Sequence, residues 1–183
     1  SGHGVASAMI AARVSGILSA ATPDQNIALT RREGGSLCAL SPDIAAARLN
    51  ETILNEIRSD RYFTLGLGFL NLATGRMRMV QAGHPHPLIL RADGRIDMAG
   101  SGGLPIGLVR EAAYSSFDVS FGPGDRMLIY SDGLPECTDP DGVALEDEGL
   151  VRLVRENAAL SGPDFLAGIE AGLARFAGTD AFP

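Results

Sequence analysis

The sequence predicts an α+β domain, a layered α-β-β-α sandwich of two antiparallel sheets flanked by helices. Two observations carry this. The helical stretches come first and last and the strand-like stretches form one block between them, whereas a doubly wound parallel sheet would alternate the two types. The strand block also switches cleanly from helical spacing to period two. At 183 residues the chain has the length for one domain, taken here as residues 1–183, and for a sizeable core.

Residues 5–21 (VASAMIAARVSGILSAA) carry Arg13 as their one charge. The run is too long for an ordinary strand and rich in Ala, so it predicts a helix, and its all-round apolarity predicts burial. Thr22-Pro23 ends it. Residues 24–40 show no period and include Gly34-Gly35, which predicts a mobile loop with a short helical extension at 26–32. Ser41-Pro42-Asp43 then opens a helix, with a Ser cap, Pro at the first helical position and an acid in the first turn. Ala46, Leu49, Ile53 and Ile57 mark its buried stripe, and Glu51, Asn55 and Glu56 lie off it.

From Tyr62 the pattern has period two. Phe63, Leu65, Leu67 and Phe69 alternate with Thr64, Gly66 and Gly68, a strand whose bare face implies something packed close to the backbone. Ala73-Thr74-Gly75 turns the chain into a second strand through Met77, Met79 and Gln81. Pro87–Arg91 predicts a third strand, and Asp93-Gly94 a tight turn into Arg95–Met98. Residues 100–108 (GSGGLPIGL) form a Gly-rich loop. Phe117, Val119 and Phe121 define a further strand. Gly122-Pro123-Gly124-Asp125 is a turn, and Arg126–Tyr130, nearly all apolar, predicts a central strand. Residues 146–158 and 163–177 predict two helices, the second with Ser161 as cap candidate and Phe165, Ile169, Leu173 and Phe176 on one stripe.

Composition narrows function. Fifteen basic residues, all Arg, stand against 22 acidic ones, for a net charge of −7. With no basic run beyond Arg31-Arg32, nucleic acid and anionic lipid are poor partners. No apolar run reaches the roughly 18 residues that span a bilayer, and no secretory leader is evident, so membrane insertion is not expected and a cytoplasmic location is. Cys38 and Cys137 predict free thiols.

Three motifs could carry chemistry. Ser1-Gly2-His3-Gly4 precedes the first helix, where free backbone N–H groups favour anions; a tight helix entry with an exposed His3 is the bland alternative. In Gln81-Ala82-Gly83-His84-Pro85-His86-Pro87, metal binding by His84 and His86 needs further ligands, and a rigid structural loop is preferred. In Tyr130-Ser131-Asp132-Gly133-Leu134-Pro135-Glu136, Asp132 follows a strand at a sharp turn. Such a carboxylate binds divalent cations when other acids converge on it, or bonds its own turn's backbone. Asp139-Pro140-Asp141-Gly142 fits a solvated turn better than a calcium loop.

No block is specific alone; their order is. SGHG with a small-residue helix, FTLGLGFLN, QAGHPHPLIL, GLPIGL and GDRMLIYSDGLPE together resemble the phosphatase domain of the SpoIIE/RsbU group, a bacterial branch of the metal-dependent type 2C (PPM) serine/threonine protein phosphatases. The resemblance runs from Ser1 to about Phe176. It implies the two-sheet sandwich above, and hydrolysis of phosphoserine or phosphothreonine by a water activated by two Mn²⁺ or Mg²⁺ ions. It implies that Asp132 is a metal ligand and the catalytic carboxylate. The group's other acids come from a first strand, from an Asp just before SGHG, and from an acid pair on a last strand. None of these positions falls within the 183 residues, so the expectation is a domain lacking its first and last strands. The 183 residues alone are then expected to be inactive or nearly so, with an incomplete metal centre and sheet edges that another copy, in a homodimer, or further chain would pair. The resemblance also implies the partner, a phosphorylated STAS-type anti-sigma-factor antagonist, in sigma-factor regulation. The competing readings are a phosphatase-like interaction module without catalysis and a small-molecule phosphohydrolase.

Overall fold

A computed structural model describes residues 5–22, 24–56 and 62–179. In chain order its elements are α1 (Val5–Ser19), β1 (Leu29–Arg31), β2 (Leu37–Ala39), α2 (Pro42–Glu56), β3 (Leu65–Asn71), β4 (Arg76–Ala82), β5 (Leu88–Leu90), β6 (Ile96–Met98), β7 (Ser116–Ser120), β8 (Arg126–Leu128), α3 (Glu146–Glu156) and α4 (Gly162–Ala177). The chain divides into two compact units. One comprises Ser1–Gly83 with Gly103–Asp118, the other His84–Gly102 with Val119–Pro183.

In the first unit α2 packs on β4 and β3. Leu49 and Ile53 from its apolar stripe are about 1% exposed and meet Val80, Ala82 and Ile106 in one cluster. β3 and β4 pair antiparallel from Leu65↔Ala82 to Asn71↔Arg76, the hairpin that the period-two pattern predicts. A Cβ placed on Gly68 would fall 2.4 Å from Met77 Cε and 2.7 Å from Met79 Cγ, so the bare face of β3 is filled by methionines of its partner strand. At the start of α2, Ser41 and Ser116 both donate to the Asp43 carboxylate, and the Asp43 N–H donates to Ser116 Oγ at 3.2 Å. These bonds tie the helix to β7 and hold the Asp43 carboxyl below its ordinary range.

Two expectations fail in this unit. α1 forms, but it is not buried all round. Ile10 and Ile17 are buried and Val14 partly so, on one face, while Met9 is 66% exposed. Ala, Ser and Gly make up much of the rest, and such small side chains tolerate either environment, so apolarity overstates burial here. Residues 26–39 hold no helix. They form the β1–β2 hairpin, Leu29↔Ala39 to Arg31↔Leu37, turned by Gly34 and Gly35 at φ 99° and 86°. Strands of three residues are too short to show a period, and the Gly-Gly pair was the true signal. Asn26 closes α1, its Nδ2 donating to the carbonyls of Leu18 (2.8 Å) and Ala20 (2.7 Å), which would otherwise lack partners at the helix end.

Asn50, on the buried side of α2, is 1% exposed. Its Oδ1 accepts from the Gly107 N–H at 2.7 Å, and its Nδ2 donates to Val109 O at 2.8 Å. Asn50→Ala strands a buried donor, the Gly107 N–H, and a part-buried acceptor, the Val109 carbonyl. The expected loss is about 3 kcal/mol in urea unfolding; a loss below about 1 kcal/mol would show that the loop re-pairs by itself.

In the second unit the sheet order is β6-β5-β8. All three β5 residues are buried, and Leu88 and Leu90 join Leu150, Val154, Phe165, Ile169 and Leu173 of α3 and α4 in the core. The predicted central position of Arg126–Tyr130 is therefore corrected. Among the described residues β8 is an outer strand, half-buried, and β5 is the middle one. An apolar run reports burial by helices as readily as burial between strands. Arg126 shows the helix side of this. Its guanidinium donates to the carbonyls of Ala158 and Leu160 and lies 4.8 Å from the Phe165 ring centroid. Both helices appear as predicted. Ser161 stands at the α4 cap position with extended backbone but makes no side-chain cap bond.

Asp125 ends the GPGD turn and knits it to the sheet. Its carboxylate accepts from the N–H groups of Gly122 (3.0 Å) and Ala92 (2.9 Å) and from Arg91 Nη1 (2.9 Å). These donors pull its pKa from the ordinary 3.8 to about 2. A lowered carboxyl pKa contributes stability that is fully present above pH 3.8 and is lost as pH falls through about 2. Asp125→Asn should therefore flatten the decline in stability between about pH 4 and pH 2, followed by acid titration of the circular dichroism signal. An unchanged acid profile would show that the bonds are matched in the unfolded chain.

Candidate functional site

The Ser1-Gly2-His3-Gly4 block lies outside the described residues. The other two motifs are placed. Strand β4 ends at Ala82, and Gly83 turns the chain with φ 70°, its N–H donating to Gly103 O at 2.9 Å. His86 Nδ1–H donates to the Ala99 carbonyl at 3.2 Å, and the Ala99 N–H to Pro87 O at 3.0 Å. These bonds, with two prolines, tie the loop between β4 and β5 to the Ala99 backbone. His84 is half-buried. Burial pushes its pKa down, and the nearby Asp132 carboxylate partly offsets this.

Asp132 follows β8 by way of Tyr130, which is 6% exposed and buried in the core of the second unit. Burial, with the Asp147 carboxylate 3.4 Å from its hydroxyl, pushes the Tyr130 pKa up to about 12. One residue further on the chain leaves the core, and Asp132 itself is exposed. Its backbone carbonyl accepts from the Glu136 N–H at 3.0 Å, while its carboxylate accepts no hydrogen bond among the described residues. The side chain is thus not spent on its own turn. Asp139 shows the contrast. Its Oδ1 accepts from the N–H groups of Asp141 (3.0 Å) and Val143 (2.9 Å), the solvated turn that the sequence predicts.

The donor set decides what the site can hold. A hard divalent cation takes six or more oxygen ligands, several of them carboxylates in a tight site. Among the described residues no three His, Cys, Asp or Glu side chains converge. These residues therefore do not by themselves fit a two-cation centre, and Asp132 with its neighbour His84 is what the candidate site offers. Cys38 and Cys137 are free thiols, as expected. No helix among the described residues is long and apolar enough to cross a membrane. Sequence reading missed Tyr130 with Asp147, and the proximity of His84 to Asp132. Tyr130 and Asp147 lie 17 residues apart and His84 and Asp132 lie 48 apart, and nothing short of the fold joins either pair.

Comparison with solved structures gives the class of fold. Over 98% of this chain and 66% of its own, the SiaA-PP2C domain of Pseudomonas aeruginosa is similar with a TM-score of 0.73 at 15% identity. The Mn-presoaked phosphatase domain of the cell fate determinant SpoIIE from Bacillus subtilis is similar with a TM-score of 0.55 at 21% identity, over 79% of this chain and 62% of its own. The fold is the α+β type 2C phosphatase class.

Within that class the chain belongs to the SpoIIE family. The Stage II sporulation protein E (SpoIIE) family model matches residues 1–181. Phosphoserine phosphatase RsbU of Bacillus subtilis (strain 168) is 24% identical over 131 residues, 71% of this chain and 39% of that protein. The chain thus spans about two fifths of the length of that curated relative.

Proposed function

We propose that residues 1–183 act as one phosphatase domain that removes phosphate from phosphoserine or phosphothreonine in a protein substrate, with Asp132 as its catalytic, cation-binding carboxylate. The observation that carries this is the exposed Asp132 side chain, left without a hydrogen bond among the described residues at the motif position where the family resemblance puts a metal ligand. RsbU is named a phosphoserine phosphatase, and the SpoIIE phosphatase domain was studied after manganese soaking. Mn²⁺ or Mg²⁺ is accordingly the cofactor we propose, with further carboxylates beyond the described residues needed to complete its site. When bound, such ions supply charge neutralisation for an anionic ester and acidify a water. The substrate we favour is a phosphorylated STAS-type anti-sigma-factor antagonist, and the setting bacterial cytoplasmic signalling.

A panel of phosphoserine and phosphothreonine peptides, set beside nucleotides, tests the reading with Mn²⁺ present. The 183-residue chain is expected near the background rate and a version extended at both ends well above it, on phosphopeptides. Equal rates overturn the expectation about the short chain, and preference for nucleotides overturns the protein-substrate reading. A second reading is a phosphatase-like module that binds a partner without hydrolysis; the lack of a converging ligand cluster among the described residues fits both readings. No turnover from the extended version, together with retained partner binding, would establish the second.

A further inference from the structure

We propose that Glu146 is a positioning residue for Asp132, holding the turn that carries it through a left-handed backbone at the start of α3. This rests on Asp132 being the working carboxylate. Glu146 has φ 58°, and among the described residues it is the one non-glycine with positive φ. Side chains other than glycine avoid this region because Cβ crowds the following carbonyl. Helix α4 opens on a residue of the same hand, φ 55°, and there it is Gly162. At α3 a glutamate accepts the strain, and a strained residue asks what it holds in place.

Two bonds answer. The Glu146 N–H donates to Pro135 O at 2.8 Å, and the Leu145 N–H to Cys137 O at 2.8 Å. Within the excursion, Leu134 N–H donates to Ser131 O (3.2 Å), Glu136 N–H to Asp132 O (3.0 Å) and Cys137 N–H to Leu134 O (3.2 Å). Residues 131–137 are thus consecutive turns with one end fixed by buried Tyr130 and the other clipped to the beginning of α3. That helix is anchored in turn, with Leu150 and Val154 0% exposed in the same core as Tyr130. Asp132 lies between the two anchors. A backbone rotation at 146 away from the left-handed region removes the N–H from Pro135 O and frees the second anchor.

The test uses Glu146→Gly, which holds φ 58° without strain, and Glu146→Val, whose branched Cβ resists it. In amide NMR of the 183-residue chain, Glu146→Val should shift the signals of Gly133 to Cys137 and raise hydrogen exchange at Glu136 and Cys137 about tenfold. Glu146→Gly should leave both as they are. In the full protein, Glu146→Val should lower kcat about tenfold with KM little changed, and Glu146→Gly should keep the wild-type rate. Unshifted amides in Glu146→Val, or the same damage in Glu146→Gly, overturn the proposal. Asp132→Asn is the control. If it leaves turnover intact, the assignment of Asp132 fails, while the amide measurements still decide what Glu146 holds.

Discussion

Asp132→Asn is expected to abolish phosphatase turnover in the full protein while leaving the fold as stable as before. The two halves of that result have separate causes. The carboxylate is exposed and accepts no hydrogen bond among the described residues, so replacing it with an isosteric amide removes no fold contact. Surface changes of this kind stay within about 0.5 kcal/mol. The amide, however, is neutral and a poor partner for a hard divalent cation. Loss of a charge-stabilising group at a reacting centre commonly costs about 100-fold or more in kcat. One further readout is independent of catalysis. Because the Asp132 charge raises the His84 pKa against the effect of burial, Asp132→Asn should move the His84 titration to lower pH in NMR. Turnover retained within threefold would remove Asp132 from the proposed centre, and an unmoved His84 would show that the two side chains do not sense each other.

What could be read beforehand follows from the range of the forces involved. Long elements with a clear period were legible: α2 from Ala46, Leu49 and Ile53, the β3–β4 hairpin, and α4 from Phe165, Ile169 and Leu173. Their side chains repeat the same environment several times, so pattern and burial agree. The β1–β2 hairpin was missed because three residues per strand repeat nothing. The depth of α1 was overestimated because Ala and Ser report helix propensity far better than burial. β8 was misplaced because the sheet order depends on pairings between distant segments, as when Leu88 meets both Met98 and Leu128. At the candidate site, motif order singled out Asp132, but the pairings of His84 with Asp132 and of Tyr130 with Asp147 arise only after the chain has closed. Glu146 was illegible for another reason. A glutamate in a sequence says nothing of left-handed backbone, where glycine would have been a signal.

A loss of stability as large as that of Asn50→Ala is expected for Gly103→Ala, at the point where two of the motif blocks meet in the first unit. A Cβ at Gly103 would stand 2.4 Å from the Gln81 carbonyl oxygen. Neither partner can yield cheaply. Gln81 is 1% exposed on β4, the middle strand of the β3-β4-β7 sheet. Gly103 is itself fixed, because its carbonyl accepts the Gly83 N–H at 2.9 Å, and Gly83 lies so tightly on Pro105 that a Cβ there would come within 2.5 Å of the ring. The added methyl must break the Gly83 bond or displace the strand, and overpacking against backbone costs about 3 kcal/mol. In a domain of this size that lowers Tm by roughly 6–12 °C. Two controls isolate the cause. Gly102→Ala meets nothing within 4 Å and is strained by its φ of 77° alone, so its loss should be about 1 kcal/mol. Gly16→Ala, inside α1 with open space around it, should stabilise by about 0.5–1 kcal/mol. If Gly103→Ala melts no lower than Gly102→Ala, the close approach to Gln81 is not what holds the QAGHPHP and GSGGLPIGL segments together.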